Sequence, residues 1–344
     1  MKISVILCTY NRCQSLAEAL DRVAAQTLPE TVDWDVLVVD NNSCDQTREV
    51  VEGLCFRYPG RFRYLFEPQQ GKSYALNTGI REARGDVLAF MDDDVTVEPT
   101  WLHNLTAALH GGEWAGSGGR TVPEQTFSPP RWLSIEGRYA LAPLAIFDRG
   151  SDAGELTESP FGNNMAYRKE MFEKYGVFRI DLGPRAGSRG PQKSEDSEFG
   201  RRLLTAGERL RYEPAAVVYH AVPKNRLQKR YFLAWWFDKA RADIRALGIP
   251  PETRWFVGIP LYMFRRLAVW TLRWFFAIEP SRRFSCKLNV WGILGGIVES
   301  YRLSRDAERQ RETCSANCSS QQQAKFYRPA SYDGEVLEKT DSIT

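Results

Sequence analysis

Phe90-Met91-Asp92-Asp93-Asp94-Val95 is the stretch on which the reading of this chain turns. Three consecutive carboxylates follow the apolar run Val87-Leu88-Ala89-Phe90-Met91, which has the length and composition of a short buried strand. A strand that delivers acids to its own C-terminal end places them at the edge of an open α/β sheet, where such sheets take their ligands. Adjacent carboxylates repel one another unless a cation neutralises them, and hard oxygen donors suit Mg2+ or Mn2+. An acidic strand-to-loop turn facing water would carry the same residues, so the rest of the chain must separate the two readings.

Outward from the triplet, the first hundred residues alternate strand and helix. Ile3–Cys8 and Val36–Val39 are short Val/Ile/Leu runs of the kind buried on both faces. Between them Leu16, Ala19, Leu20 and Val23 fall at helical spacing. Asp45–Phe56 reads as a second helix with Ser43 or Asp45 to cap it, Arg63–Phe66 as a third strand, and Lys72–Arg84 as a third helix ended by Gly85. The repeated βα unit predicts an α/β fold with an open, mostly parallel sheet and helices on both faces. From Gly116 to Pro214 Gly and Pro are frequent and helices short, with a loop-like Arg179–Ser194 stretch. After His220 come long helices dense in Arg, Trp, Phe and Tyr, and beyond Asp306 a polar tail that is expected to be disordered.

With 344 residues, 43% of them hydrophobic, and a net charge of +3, the chain can bury a large core and offers no general attraction for nucleic acid. Seven cysteines, an odd number without a C-x-x-C pair, fit neither a disulfide framework nor a zinc site, which points to a reducing, cytoplasmic setting. The apolar run Ile3–Cys8 is too short for a secretory signal. Trp255–Ile278, the nearest approach to a membrane span, is broken by Pro260, Arg265, Arg266 and Arg273.

Each early strand ends in polar groups: Thr9-Tyr10-Asn11-Arg12, Asp40-Asn41-Asn42-Ser43, and Asp92–Asp94. Parallel strands would gather all three sets at one edge. Neither of the first two turns has the G-x-G-x-x-G of a dinucleotide site, and no G-x-x-x-x-G-K-[ST] occurs. Any nucleotide must therefore have its phosphates held by a metal and not by a glycine loop. Lys72 opens a helix, where a cation opposes the dipole, so it is expected to meet an anion, either nucleotide phosphate or a neighbouring carboxylate, unless it is simply solvated.

Together these segments resemble glycosyltransferase family 2, the inverting nucleotide-sugar enzymes of GT-A fold. The resemblance rests on Val5-Ile6-Leu7-Cys8-Thr9-Tyr10-Asn11-Arg12, Val38–Thr47, Gly71-Lys72-Ser73-Tyr74-Ala75-Leu76-Asn77-Thr78-Gly79-Ile80 and the aspartate triplet. It continues through Gly162-Asn163-Asn164-Met165-Ala166-Tyr167-Arg168 and Ser194–Leu203, in the correct order over roughly residues 1–220. What it implies is a divalent-metal enzyme (Mn2+ or Mg2+) moving a hexosyl group from a nucleotide-sugar, UDP-linked by preference, to a glycan or lipid-linked acceptor. Asp40 would accept the N3–H of uracil, with Thr9, Tyr10 and Asn11 lining the nucleoside pocket and Lys72 near the phosphates. In the D-x-D reading Asp92 lies toward ribose and metal, Asp94 binds metal, and Asp93 acts through a metal-bound water. His220, after Ala215–Tyr219, would complete metal or diphosphate binding. Asp196, ahead of Glu195, would be the base that deprotonates the acceptor hydroxyl, one carboxylate being enough for a single inverting displacement. Gly118-Gly119-Arg120 and Gly162-Asn163-Asn164 would be close approaches around donor sugar and acceptor. Each residue has a plainer counterpart: turn acid, turn polar residue, helix-start acid, structural histidine.

The expected division is a catalytic domain over 1–222, with a nucleotide-binding half 1–95 and an acceptor half 96–222. A basic, aromatic helical region over 223–305 and the tail 306–344 follow. Trp, Tyr and Arg beside an apolar face fit a helix in the membrane interface, drawn to anionic lipid at the inner surface, and equally a helical subdomain packed on the catalytic domain. Two rival functions share the framework: a sugar-1-phosphate nucleotidyltransferase, disfavoured because Thr9-Tyr10-Asn11-Arg12 replaces a Gly-rich basic loop, and a non-catalytic nucleotide- or glycan-binding scaffold, disfavoured because the triplet and the Glu-Asp pair are intact.

Overall fold

The computed structural model describes residues 1–136, 140–187, 193–250 and 252–324. The βα alternation is present as β1 (Lys2–Thr9), α1 (Cys13–Ala24), β2 (Asp33–Asp40), α2 (Thr47–Arg57), β3 (Phe62–Phe66), α3 (Lys72–Glu82) and β4 (Val87–Asp92). Then follow β5 (Val95–Val97), α4 (Trp101–Ala107), β6 (Gly116–Pro123), β7 (Gly154–Leu156), β8 (Met165–Arg168), α5 (Lys169–Tyr175), α6 (Glu195–Thr205) and β9 (Leu210–His220). The C-terminal region holds α7 (Lys229–Leu247), the small hairpin β10 (Trp255–Phe256) and β11 (Ile259–Pro260), α8 (Leu261–Phe276) and α9 (Pro280–Ala324).

The main sheet runs β3-β2-β1-β4-β8-β6-β9-β5, with β7 on β9. Its first four strands are parallel, as βα units require. Beyond β4 it is mixed, because β8 runs antiparallel to both β4 and β6. Short strands joined by Gly/Pro-rich segments, without crossover helices, permit that reversal. Both faces are buried. On β1, Ile3, Val5 and Leu7 pack toward α1, α2 and α4, while Ile6 packs on the α3, α5 and α6 side. The second layer centres on aromatic rings, with Phe172 stacked on Phe199 at 4.5 Å and Phe90 edge-on to Phe178 at 5.6 Å.

The region after His220 is helical, as expected. α7 packs on the segment between β6 and β7: Phe232 is fully buried with Leu133, Leu144 and Ile146, and Trp132 lies edge-on to Phe232 and Phe284. α7 is also tied to α9 by a buried charge group in which Arg241 and Arg245 both donate to Glu299. α8 is different. Only Met263 of its residues is buried, and Phe264, Val269, Leu272, Phe275 and Phe276 are exposed. Among the described residues no helix is long and apolar enough to cross a membrane. α9 continues to Ala324, so residues 306–324 are helical where disorder was expected. The Glu, Arg, Gln and Ala of that stretch are good helix formers despite their polarity. Residues 325–344 lie outside the described residues.

Candidate active site

Strand register assembles the site. Thr9 pairs with Asp40, Cys8 with Asp92, and Val95 with His220, so the ends of β1, β2, β4 and β9 meet at one edge of the sheet. The first two turns are pinned to each other. Asn11, at φ +52°, donates its backbone N–H to Ser43 Oγ at 2.9 Å and accepts from Cys44 N at 2.8 Å. Asp45 accepts from Cys13 N and Thr47 N, at 2.9 and 3.1 Å, and so serves the start of α1 as well as α2. Asp40 is buried and accepts from Ser43 N and the Tyr64 hydroxyl, both at 2.8 Å. Asn41 accepts from Gly71 N at 2.8 Å and donates to Glu67 O and Gln69 O, which fixes the loop leading into α3 and Lys72. Tyr10 is exposed.

The three acids of the triplet divide between two cations, Lys72 and Arg12. Asp92 accepts from Lys72 Nζ. Asp93 is buried, accepts from Thr9 Oγ1 at 2.7 Å and pairs with Arg12 at 2.9 Å. Burial, opposed by Arg12, pushes the Asp93 carboxyl up to about 6. Asp94 pairs with the same Arg12 guanidinium at 2.8 Å and lies 4.0 Å from His220 Nε2. Burial holds the His220 imidazole toward its neutral form against the pull of Asp94, and Arg226 Nη1 is 3.3 Å from the same nitrogen. Among the described residues no three His, Cys, Asp or Glu side chains converge as a metal cage. Asp94 and His220 face each other closely enough to share a hard cation, whose other positions phosphate oxygens and water would fill. Asp92, also expected at the metal, is engaged by Lys72.

Lys72 links the triplet to the second acidic pair. Its ammonium lies 3.8 Å from Glu195 Oε1 in addition to its bond with Asp92. Burial disfavours that charge, but Asp92 and Glu195 outweigh it and raise the lysine pKa. Glu195 is buried, and burial plus the neighbouring Asp196 push its carboxyl up to about 7, with Lys72 pulling the other way. Asp196 is more open. It accepts from Gly162 N at 2.8 Å and from Ser197 N at 2.6 Å. The pair is held by strained backbone: Ser194, buried and not a glycine, has φ +77°. Gly183, at φ +87°, lets its loop lie against Glu195, where a Cβ would come within 3.2 Å of the carboxyl carbon.

Lys72, Asp92, Asn163, Glu195 and Asp196 line one cleft of about 680 Å3. Its far wall is Trp235, Trp236 and Lys239 of α7, residues that sequence reasoning assigned to a membrane or subdomain surface. Among the described residues, Gly119 and Arg120 do not line this cleft. Gly119 is a packing glycine, since a Cβ there would stand 2.2 Å from Ala216 O, and Arg120 pairs with Asp148 at 2.7 Å. Asn164 ties β6, β9 and α4 together, accepting from Trp101 Nε1 and donating to Arg120 O and Ala216 O.

Asp92, from the acidic triplet at the end of β4, thus shares one cleft with the Glu195–Asp196 pair. The family model for Glycosyl transferase family 2 matches residues 4–176. The chain belongs to glycosyltransferase family 2. As a glycosyltransferase it is 30% identical over 236 residues to the succinoglycan biosynthesis protein ExoM of Rhizobium meliloti, covering 68% of this chain and 70% of that one. It is 29% identical over 224 residues to a glucosyl-dolichyl phosphate glucuronosyltransferase of Haloferax volcanii, covering 64% and 69%. Among solved structures, a mannosyltransferase of Pyrobaculum calidifontis in complex with GDP-Man and Mn2+ superposes with a TM-score of 0.53 at 20% identity, covering 95% of this chain and 81% of that one. That likeness shows the GT-A fold.

Proposed function

We propose that this glycosyltransferase is a metal-dependent, inverting enzyme that transfers a sugar from a UDP-linked donor to a hydroxyl of a glycan or lipid-linked acceptor in polysaccharide or glycoconjugate assembly. The observation that carries the reading is Lys72 standing between Asp92 and Glu195, which places donor-side and acceptor-side carboxylates in one cleft. Asp196 is the base: it is the more open of the two acids, and the Gly162 and Ser197 N–H groups fix its orientation. Glu195, buried beside Lys72, positions that cation. Asp40 offers a fixed carboxylate to the base. A divalent ion held by Asp94 and His220 would supply Lewis-acid stabilisation of the departing diphosphate. The acceptor hydroxyl attacks the sugar C1 as its proton passes to Asp196, and the C1–O bond to the nucleotide breaks with its electrons on the UDP oxygen.

The names of two relatives, a succinoglycan biosynthesis protein and a transferase acting on a dolichyl phosphate sugar, support an assembly role with a lipid-linked acceptor. α8, with exposed Phe264, Leu272, Phe275 and Phe276 beside Arg265, Arg266 and Arg273, supports peripheral contact with the cytoplasmic face of a membrane. The test is calorimetric titration of UDP with and without Mn2+ into wild type and Asp94→Ala. Metal-dependent binding that weakens at least about tenfold in the variant is expected, since one charged ligand of two is removed. Wild type that ignores UDP but binds GDP would overturn the uridine assignment, and indifference to both would overturn the donor site.

A further inference from the structure

Trp236, Lys239 and Asp243 form a stripe along α7 at three- and four-residue spacing. They line the catalytic cleft on one side and a second cavity of about 480 Å3 on the other. This second cavity lies between α7, α8, α9 and the segment around Leu133. Leu133, Ile244, Met263, Phe284, Leu288 and Ile293 give it an apolar wall. Two glycines of α9 keep it open. A Cβ on Gly292 would meet nothing nearer than Trp236 O at 3.8 Å, and one on Gly296 nothing nearer than Met263 Cε at 3.6 Å. Gly295 is the contrast: its Cβ would stand 2.2 Å from Phe237 O, so that glycine serves the crossing of α7 and α9. At its outer side the cavity is bordered by Tyr262 and Arg266 of the exposed α8.

On the catalytic side, Lys193 lies in the cleft wall with its ammonium 5.4 Å from the Trp235 ring centre. It is partly buried and makes no ion pair among the described residues. The cleft therefore offers the Glu195–Asp196 carboxylates and the cation of Lys193, and beyond the Trp236, Lys239 and Asp243 stripe lie the apolar cavity and the exposed apolar helix. That arrangement matches the hydroxyl, phosphate and hydrocarbon of an amphiphile. We propose that the cavity between α7, α8 and α9 holds the hydrocarbon tail of a sugar-bearing lipid-phosphate acceptor, with its phosphate at Lys193 and the reacting hydroxyl of its sugar at Asp196. This rests on the transferase reading of the cleft and deepens it by naming the acceptor class.

The experiment uses the full chain and two probes titrated calorimetrically as monomers, farnesyl phosphate and butyl phosphate, with UDP plus Mn2+ titrated in parallel. Each buried methylene is worth about fourfold, so farnesyl phosphate is expected to bind saturably and at least about a hundredfold more tightly than butyl phosphate. Gly292→Leu, or Gly296→Leu as a second filling variant, is expected to lose about tenfold or more in farnesyl phosphate affinity while melting no lower than wild type, since either adds a good helix former. Lys193→Gln is expected to weaken both phosphates and leave UDP binding intact. Equal affinity for the two phosphates, or filled variants that bind farnesyl phosphate like wild type, would overturn the proposal. Binding through the surface of α8 alone would give that second result. Farnesyl phosphate failing while UDP binds sinks the acceptor inference only, whereas UDP failing while farnesyl phosphate binds sinks the donor reading only.

Discussion

Glu299→Gln would remove the one anion that both Arg241 and Arg245 share inside the C-terminal helices. Glu299 is fully buried, Arg241 Nε donates to it at 2.9 Å, and Arg245 Nε donates to its other oxygen. At such distances and an effective dielectric near 20, each charge pair attracts by about 4 kcal/mol, much of it offset by the desolvation of the ions. Deleting one partner keeps the desolvation and loses the attraction, which typically costs about 3–5 kcal/mol. Two features favour the lower end. Arg241 keeps Asp238 at 3.2 Å, and the Arg245 side chain is 26% exposed and can turn to water. A loss of about 3 kcal/mol is expected, read from urea unfolding followed by circular dichroism at neutral pH. Replacing Arg241, Arg245 and Glu299 together by Met should return most of that stability, because no unpaired charge is left inside. A loss below about 1 kcal/mol in Glu299→Gln would refute the reasoning, since it would mean that the charges are solvated and do not clamp α7 to α9.

Glu195 makes stability depend on pH. Its carboxyl is raised to about 7 in the folded chain, so it binds a proton more tightly there than when unfolded. The favourable contribution is complete below the unfolded value, about 4.5, and is lost as pH rises through 7, an effect of up to about 3 kcal/mol. Glu195→Gln should therefore gain on wild type between pH 5 and pH 8 in parallel urea titrations, and parallel stability curves would refute the assignment. Gly119→Ala should be strongly destabilised, by about 2 kcal/mol or more, because its Cβ would collide with Ala216 O at 2.2 Å. Gly53→Ala, inside α2 with nothing within 4 Å, should instead raise the melting temperature through a helix gain of about 1 kcal/mol, and similar behaviour of the two variants in thermal melts would contradict the packing.

The parallel half of the fold was legible because strands buried on both faces must be written as apolar runs. Ile3–Cys8 and Val87–Met91 differ from β1 and β4 by a residue or two at their ends. β5 was not legible: Val95–Val97 is three residues long and exists through its pairing with β9. Arg12, Asn41 and Tyr64 were overlooked as organisers of the sheet edge, since composition does not say which of several neighbouring polar side chains turns inward, whereas Asp45 was read as a cap of the second helix and does accept from Thr47 N. Its second bond, from Cys13 N at the start of α1, has no local signal. Gly119 and Arg120 carried the glycine signature of a close approach, and the approach is to Ala216 and Asn164 of the same chain.

Sequence by itself determined the α/β class, the edge where Thr9, Asp40 and the aspartates gather, and the family, because strand periodicity and motif order are local properties of the chain. Tertiary structure alone decided how the acids are divided: Asp92 to Lys72, Asp93 to Thr9 and Arg12, Asp94 to the same Arg12 and toward His220. It also decided that Trp235 and Trp236 of α7 wall the cleft that holds Glu195 and Asp196 while α8 stays exposed. An amphipathic helix shows in its sequence only that one face must be covered. Whether protein or lipid covers it depends on contacts between residues far apart in the chain, and those exist only once the chain has folded.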